Sequence, residues 1–145
     1  MPWGAHLLTP AVELFIDAFN AAPWNDEWTV ASASRRLRDL QATPGFEGAA
    51  LLTDGEVTAF IGGYRQRWWD DTDHFYIAEL AVRRAVHRAG YGTRLLRAFI
   101  DGLVGVSTYY LLTEADGPET RLHVEGVGRP ARRQGVMTMS AAPAP

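Results

Sequence analysis

Residues 76–103 read YIAELAVRRAVHRAGYGTRLLRAFIDGL, and this stretch decides the fold. An apolar run ending at Val82 is followed by a basic, glycine-bearing turn and then by apolar residues at helical spacing. In the turn, His87, Arg88, Ala89, Gly90, Tyr91, Gly92 and Thr93 put two glycines where a helix must begin. Glycine lets backbone N–H groups come close to a ligand, and a helix N-terminus carries roughly +0.5 elementary charge, so the junction suits a phosphate. Five of the fourteen arginines lie between positions 83 and 97 and add positive charge there. In the helix that follows, Tyr91, Leu95, Leu96, Phe99, Ile100 and Leu103 form the inward face.

Working outward, Thr9-Pro10 reads as an N-cap with proline in the first turn, and residues 10–21 as a helix closed by Pro23. The loop Trp24-Asn25-Asp26-Glu27-Trp28 follows, and Thr29 caps a second helix running to Gln41. Strands at 48–53 and 57–63 flank Asp54-Gly55, a two-residue hairpin signal, and the second can run on as far as Trp69. Asp70-Asp71-Thr72-Asp73 is a polar turn, after which 74–82 returns as the strand entering the glycine turn. A strand at 108–114, a short helix at 119–125 and a last strand at 134–139 complete the order. A strand–helix–strand crossover needs parallel pairing, so the sheet is expected to be mixed.

Composition narrows the function classes. At 145 residues, residues 1–139 are expected to form one domain, with 140–145 a disordered tail. A net charge of −3 does not favour nucleic acid as a partner. No apolar run approaches the ~20 residues of a membrane span, and Met1-Pro2-Trp3-Gly4 lacks the basic start of a signal peptide. The absence of cysteine rules out disulfides, thiolate metal sites and a cysteine nucleophile, and with the rest gives a cytoplasmic expectation. Asp71, Asp73 and His74 match no metal-ligand spacing, so no metal is expected.

The segment from Leu80 to Leu96 resembles the acetyl-CoA-binding motif of the GNAT superfamily of N-acetyltransferases. That pattern is Arg or Gln, two residues, Gly, one residue, then Gly or Ala, after a strand ending in Val. Val82, Gly90 and Gly92 match, and His87 stands in the leading position. The resemblance extends over nearly the whole chain through its element order. It implies an α/β (α+β) fold, a mixed central sheet flanked by about four helices, with a first strand that would have to fit within residues 3–8. It also implies that the two parallel strands splay at a bulge, with the donor's pantetheine arm between them. Acetyl-CoA would be the co-substrate, held by Leu80, Ala81, Val82 and residues 87–93, with His87 giving its backbone N–H. Near the end, Asp116, Leu122 and His123 fall at the spacing of the family's Asn…Leu-Tyr motif, so His123 takes the place of the tyrosine credited as general acid.

Glu79 is the sharpest single residue. Strand alternation puts it on one face with Phe75, Ile77 and Ala81, a carboxylate in an apolar row. Such a group is rarely kept without a partner or a role, and apolar surroundings raise its pKa toward that of a general base at neutral pH. The family resemblance gives it that role; the plainer reading pairs it with Arg65 or Arg67 on the neighbouring strand. Tyr110 joins His123 as a candidate to protonate a departing thiolate, against a plainer reading as a buried strand aromatic. Trp24, Asp26, Glu27 and Trp28, with Trp69 and Asp70, are read as an acidic, aromatic mouth for a cationic amine; individually each could equally be a core, interface or solvated residue.

The expected activity is acetyl transfer to a primary amine of a small cationic molecule, aminoglycoside- or polyamine-like, by a chain that could pair as a homodimer. The alternative is an acetyl-CoA or CoA-binding module with weak or no transferase activity. No Walker lysine exists in the chain, which weighs against a nucleotide protein.

Overall fold

A computed structural model of the chain describes residues 1–22, 24–86, 89–112 and 136–140, with Leu112 and the last segment described by their backbone. After a 3-10 turn at Ala5–Leu7, helices α1 (Leu8–Phe19) and α2 (Val30–Gln41) precede strands β1 (Phe46–Thr53), β2 (Glu56–Arg67) and β3 (Asp73–Val82). A second 3-10 turn (Arg84–Val86) leads to α3 (Tyr91–Asp101), then β4 (Val106–Leu112) and β5 (Val136–Ser140). The five strands lie in chain order, all pairs antiparallel except β3–β4, which is parallel. The sheet is mixed, as the crossover through α3 requires.

Period-two alternation along β2 builds a core on each face. Phe60 joins Ala50 and Ala81 under Ala11, Phe15, Ala33 and Leu37 of α1 and α2. Ala59 and Ile61 face the other way, with Phe75, Ile77, Tyr109 and Leu111 against Leu95, Leu96 and Phe99 of α3. Phe15, Phe60 and Phe75 are fully buried, and truncating any of them to alanine should cost about 3–5 kcal/mol. The β1–β2 hairpin turns at Asp54 and Gly55, both at positive φ (52° and 82°), as a two-residue connection demands.

Several expectations are corrected. Helix α1 starts at Leu8, and Thr9 does not cap it, because the preceding 3-10 turn already feeds the helix. Residues 3–8 form no strand; Pro2 makes one isolated bridge to Ala49, and the chain then coils into the 3-10 turn. Three α-helices are present among the described residues; the helix expected at 119–125 lies outside them. Ser140, expected in the tail, belongs to β5.

Helix α2 starts where expected. Thr29 Oγ1 accepts from the Ser32 N–H at 3.0 Å, and the Thr29 N–H donates to Ser32 Oγ at 2.9 Å. This reciprocal cap is worth about 1 kcal/mol and fixes the helix register directly after the acidic loop. Asn20 holds that loop from the other side: its amide donates to Trp28 O and accepts from the Trp28 N–H, both at 2.8 Å.

Candidate active site

The site begins with one extra residue in β3. Gly62 pairs with Glu79, but Gly63 pairs with Ile77, so Ala78 is left over as a bulge. A bulge reverses the alternation of every residue beyond it. Phe75 and Ile77 therefore point to α3, whereas Glu79 and Ala81 point to α1 and α2. The single apolar face expected for Phe75, Ile77, Glu79 and Ala81 does not exist. Gly63 is what admits the bulge, since a Cβ there would lie 1.9 Å from Tyr76 O.

The parallel ladder ends at the same place. β4 pairs with β3 from Asp73 to Tyr76 and no further, while β3 runs on to Val82. The two strands part beyond Tyr76, as the resemblance implies. The Arg83 N–H donates to Thr58 O at 2.9 Å. Alternation along that ladder turns the Leu80 N–H away from β2, toward the opening.

Glu79 lies at the edge of this opening, with only 10% of its side chain exposed. Its partner is neither Arg65 nor Arg67. Arg65 bonds Glu47 and Asp73, and Arg67 bonds Asp73 at 2.8 Å. The bulge turned Glu79 away from them, and Arg36 of α2 reaches down instead, its Nε–H donating to Glu79 Oε1 at 2.9 Å. Burial pushes the Glu79 carboxyl above its ordinary value, Arg36 pulls it back, and Asp26 pushes it up again.

Below Glu79 the same face carries three tyrosines in register. Tyr64 pairs with Tyr76 and Tyr76 with Tyr110 across three strands. Their ring centroids are 5.4 and 5.2 Å apart. Tyr110 is only partly buried, and its hydroxyl donates to Gln66 Oε1 at 2.6 Å. Burial first, then the Tyr64 phenol, holds the Tyr76 hydroxyl above its usual range.

The two acidic loops are separated. Asp26 is near enough to act on the Glu79 carboxyl, and its Oδ2 accepts from Trp28 Nε1–H at 3.0 Å. Glu27 is exposed beside it. Trp28 and Trp24 set their rings edge-on against Phe15 and Phe19 of α1. Trp69, 88% exposed, and Asp70 sit at the β2–β3 connection. From there Glu79 is six residues farther along β3 than Asp73, about 20 Å. Asp73, between Arg65 and Arg67, is held below the usual carboxylate range, first by Arg67.

At the other end, Gly90 caps α3 in the left-handed region (φ 82°), and a Cβ there would meet nothing within 4 Å. Gly90 brings no side chain to cap the helix's first N–H groups. These features fit an anionic ligand at the head of α3. Two nearby arginines are tied to the protein: Arg83 Nη2 donates to Val57 O, and Arg84 pairs with Asp17. Arg94 lies over the Tyr91 ring. His87, Arg88, Asp116, Leu122 and His123 lie outside the described residues.

Comparison with known proteins agrees with this geometry. The model of the acetyltransferase (GNAT) family matches residues 9–115. The chain belongs to that family. No curated protein sequence matches it. Among solved structures, an acetyltransferase from Thermus thermophilus is similar in fold (17% identity, TM-score 0.73, 96% of this chain and 92% of that one). So is the ribosomal-protein-S18-alanine N-acetyltransferase from Escherichia coli (19%, 0.70, 100% and 97%). An aminoglycoside 6'-N-acetyltransferase complexed with coenzyme A is a third (15%, 0.65, 100% and 99%). This GNAT acetyltransferase therefore draws its acetyl group from acetyl-CoA.

Arg36, Tyr64, Tyr76 and Gln66 lie in contact with the candidate residues Glu79 and Tyr110 or with each other, and the sequence did not single them out. The tyrosine pair was within reach: a connection centred on Asp70 sets Tyr64 opposite Tyr76. Arg36 carried no such signal, because nothing in α2 says which strand residue its flank will meet.

Proposed function

We propose that this GNAT enzyme acetylates a primary amine of a small cationic molecule, with Glu79 as general base. The observation that carries the reading is a nearly buried carboxylate at the point where β3 and β4 part. Acetyl-CoA supplies an acetyl group already activated as a thioester. With Arg36 on Oε1, Glu79 Oε2 receives the proton that the amine loses as its nitrogen attacks. The Leu80 N–H and the backbone of Ala81 and Val82 line the opening where the acetyl carbonyl is polarised. Residues 87–93 form the phosphate turn. Tyr110 or His123 returns a proton to the departing sulfur, and Tyr110 must first turn away from Gln66 to do so.

Asp26 and Glu27, with Trp24 and Trp28, form the nearer part of a cation-attracting mouth, and Trp69 and Asp70 its distant rim. We place the reaction in the cytoplasm, without nucleic acid or membrane as partner and with a homodimer left open. No helix among the described residues is long and apolar enough to cross a membrane. The test is thiol release from acetyl-CoA with sisomicin, spermidine and an alanine-terminated peptide as amines. Turnover on a cationic amine that E79Q loses supports the reading; turnover on the peptide alone overturns the choice of acceptor.

A further inference from the structure

We propose that Arg36 is a positioning residue of this reaction, holding the Glu79 carboxylate ionised and aimed into the cleft through one oxygen. The inference rests on the reading of Glu79 as base. Ala33, Leu37 and Leu40 bury one face of α2 against the rest of the protein, and Arg36 lies on the flank of that face. Its side chain is 48% exposed, whereas Glu79 is 10% exposed. The pair therefore joins a half-hydrated cation to a buried anion across 43 residues of sequence. Only the carboxylate is stripped of water, which avoids most of the desolvation that makes fully buried pairs unfavourable.

Among the described residues, Arg36 is the group that favours charge on Glu79. Asp26 acts from the loop before α2 and opposes it. Tyr76 on the same strand has the rings of Tyr64 of β2 and Tyr110 of β4 beside it. The β2 residue opposite Glu79 is Gly62, which offers no charge. Asp17 of α1 is engaged by Arg84. Burial and Asp26 both favour the protonated acid, which cannot take a proton from an amine, and Arg36 opposes both. The pair is not needed to place α2, which its cap and its buried face already fix.

The test is a carbon-13 NMR titration of glutamate side-chain carboxyls in the wild type, R36Q and R36K, with E79Q assigning the resonance. Removing the cation should raise the Glu79 midpoint by about one pH unit or more in R36Q. R36K, which keeps a charge but loses the Nε contact, should fall between. On the best amine of the panel above, the acid limb of kcat/KM should move up by the same amount. R36Q activity should then recover as pH rises, while its melting temperature falls below that of the wild type only at pH values above the Glu79 midpoint, where the carboxylate is left without its cation. Coincidence of both variants with the wild-type midpoint overturns the role of Arg36 while leaving Glu79 as base. Wild-type turnover in E79Q overturns the base itself, and the role of Arg36 with it. Should R36Q fail to fold, the R36K midpoint decides alone.

Discussion

The two halves of β3 differ in what surrounds them. From Asp73 to Tyr76 the strand has a neighbour on each side, and its ends are tied. Asp73 sits between Arg65 and Arg67, and Arg65 also donates to Val104 O at 2.6 Å. From Ile77 to Val82 the strand ladder among the described residues is with β2, and here lie the bulge and the buried carboxylate. The first half is held by mutual satisfaction; the second lies beyond the β4 ladder and carries a group whose charge burial disfavours. We place the proposed chemistry in the second half, where the parallel ladder has ended and burial raises the pKa of Glu79.

Removing the bulge should have the largest effect. Gly63→Ala places a Cβ against the Tyr76 carbonyl, and backbone cannot move aside as a side chain can. We expect a loss of about 3 kcal/mol or more, a fall in Tm of roughly 10 °C, and no activity. A variant that melts like wild type would mean the two halves are not hinged there. Next is Gly90→Glu, which adds bulk and negative charge at the head of α3. Calorimetry should show acetyl-CoA binding abolished in a protein that still folds; unchanged affinity would move the phosphate turn elsewhere.

Glu79→Gln should lower kcat at pH 7 by ~10²-fold or more with acetyl-CoA affinity little changed. Its effect on stability should run the other way. The folded carboxyl is raised above its ordinary 4.5, so the native state holds a proton that the unfolded chain releases, and stability falls as pH rises through that window. Glutamine removes that loss, so the melting temperature of E79Q relative to wild type should rise as pH is raised above the ordinary 4.5. A uniform fall at every pH would identify Glu79 as a structural ion-pair residue.

The smallest effects separate the two acidic loops. Asp26→Asn with Glu27→Gln should raise KM for a cationic amine a few-fold, and added salt should act the same way, since attraction is screened over about 10 Å at 0.1 M. Asp70→Asn, some 20 Å away along the strand, should do less. KM for acetyl-CoA should stay nearly constant in both. Equal effects from the two loops would mean that the acceptor spans the whole of β3, and no effect from either would end the acidic-mouth idea.

Local patterns made much of this legible. The helix face of α3, the Asp54-Gly55 turn, the Thr29 cap and the parallel crossover each depend on residues a few positions apart, where sequence spacing is spatial spacing. Gly90 and Gly92 likewise marked the head of α3, where Gly90 takes up the left-handed conformation that glycine adopts at little cost. Thr9 misled because a cap is only one way to start a helix, and the 3-10 turn before it supplied another.

The sequence by itself determined the order of elements, the crossover and the position of Glu79 on the strand that leads to the glycine turn. Which way Glu79 points was decided only in three dimensions. A bulge is one residue of mismatch between two strands, and no periodicity within either strand records it. That single residue moved the carboxylate from the α3 face to the α2 face. It exchanged the expected partners Arg65 and Arg67 for Arg36, and it put Glu79 beside the row of Tyr64, Tyr76 and Tyr110. Contacts between residues 43 positions apart follow from how helices settle on a sheet, which depends on the packing of the whole core.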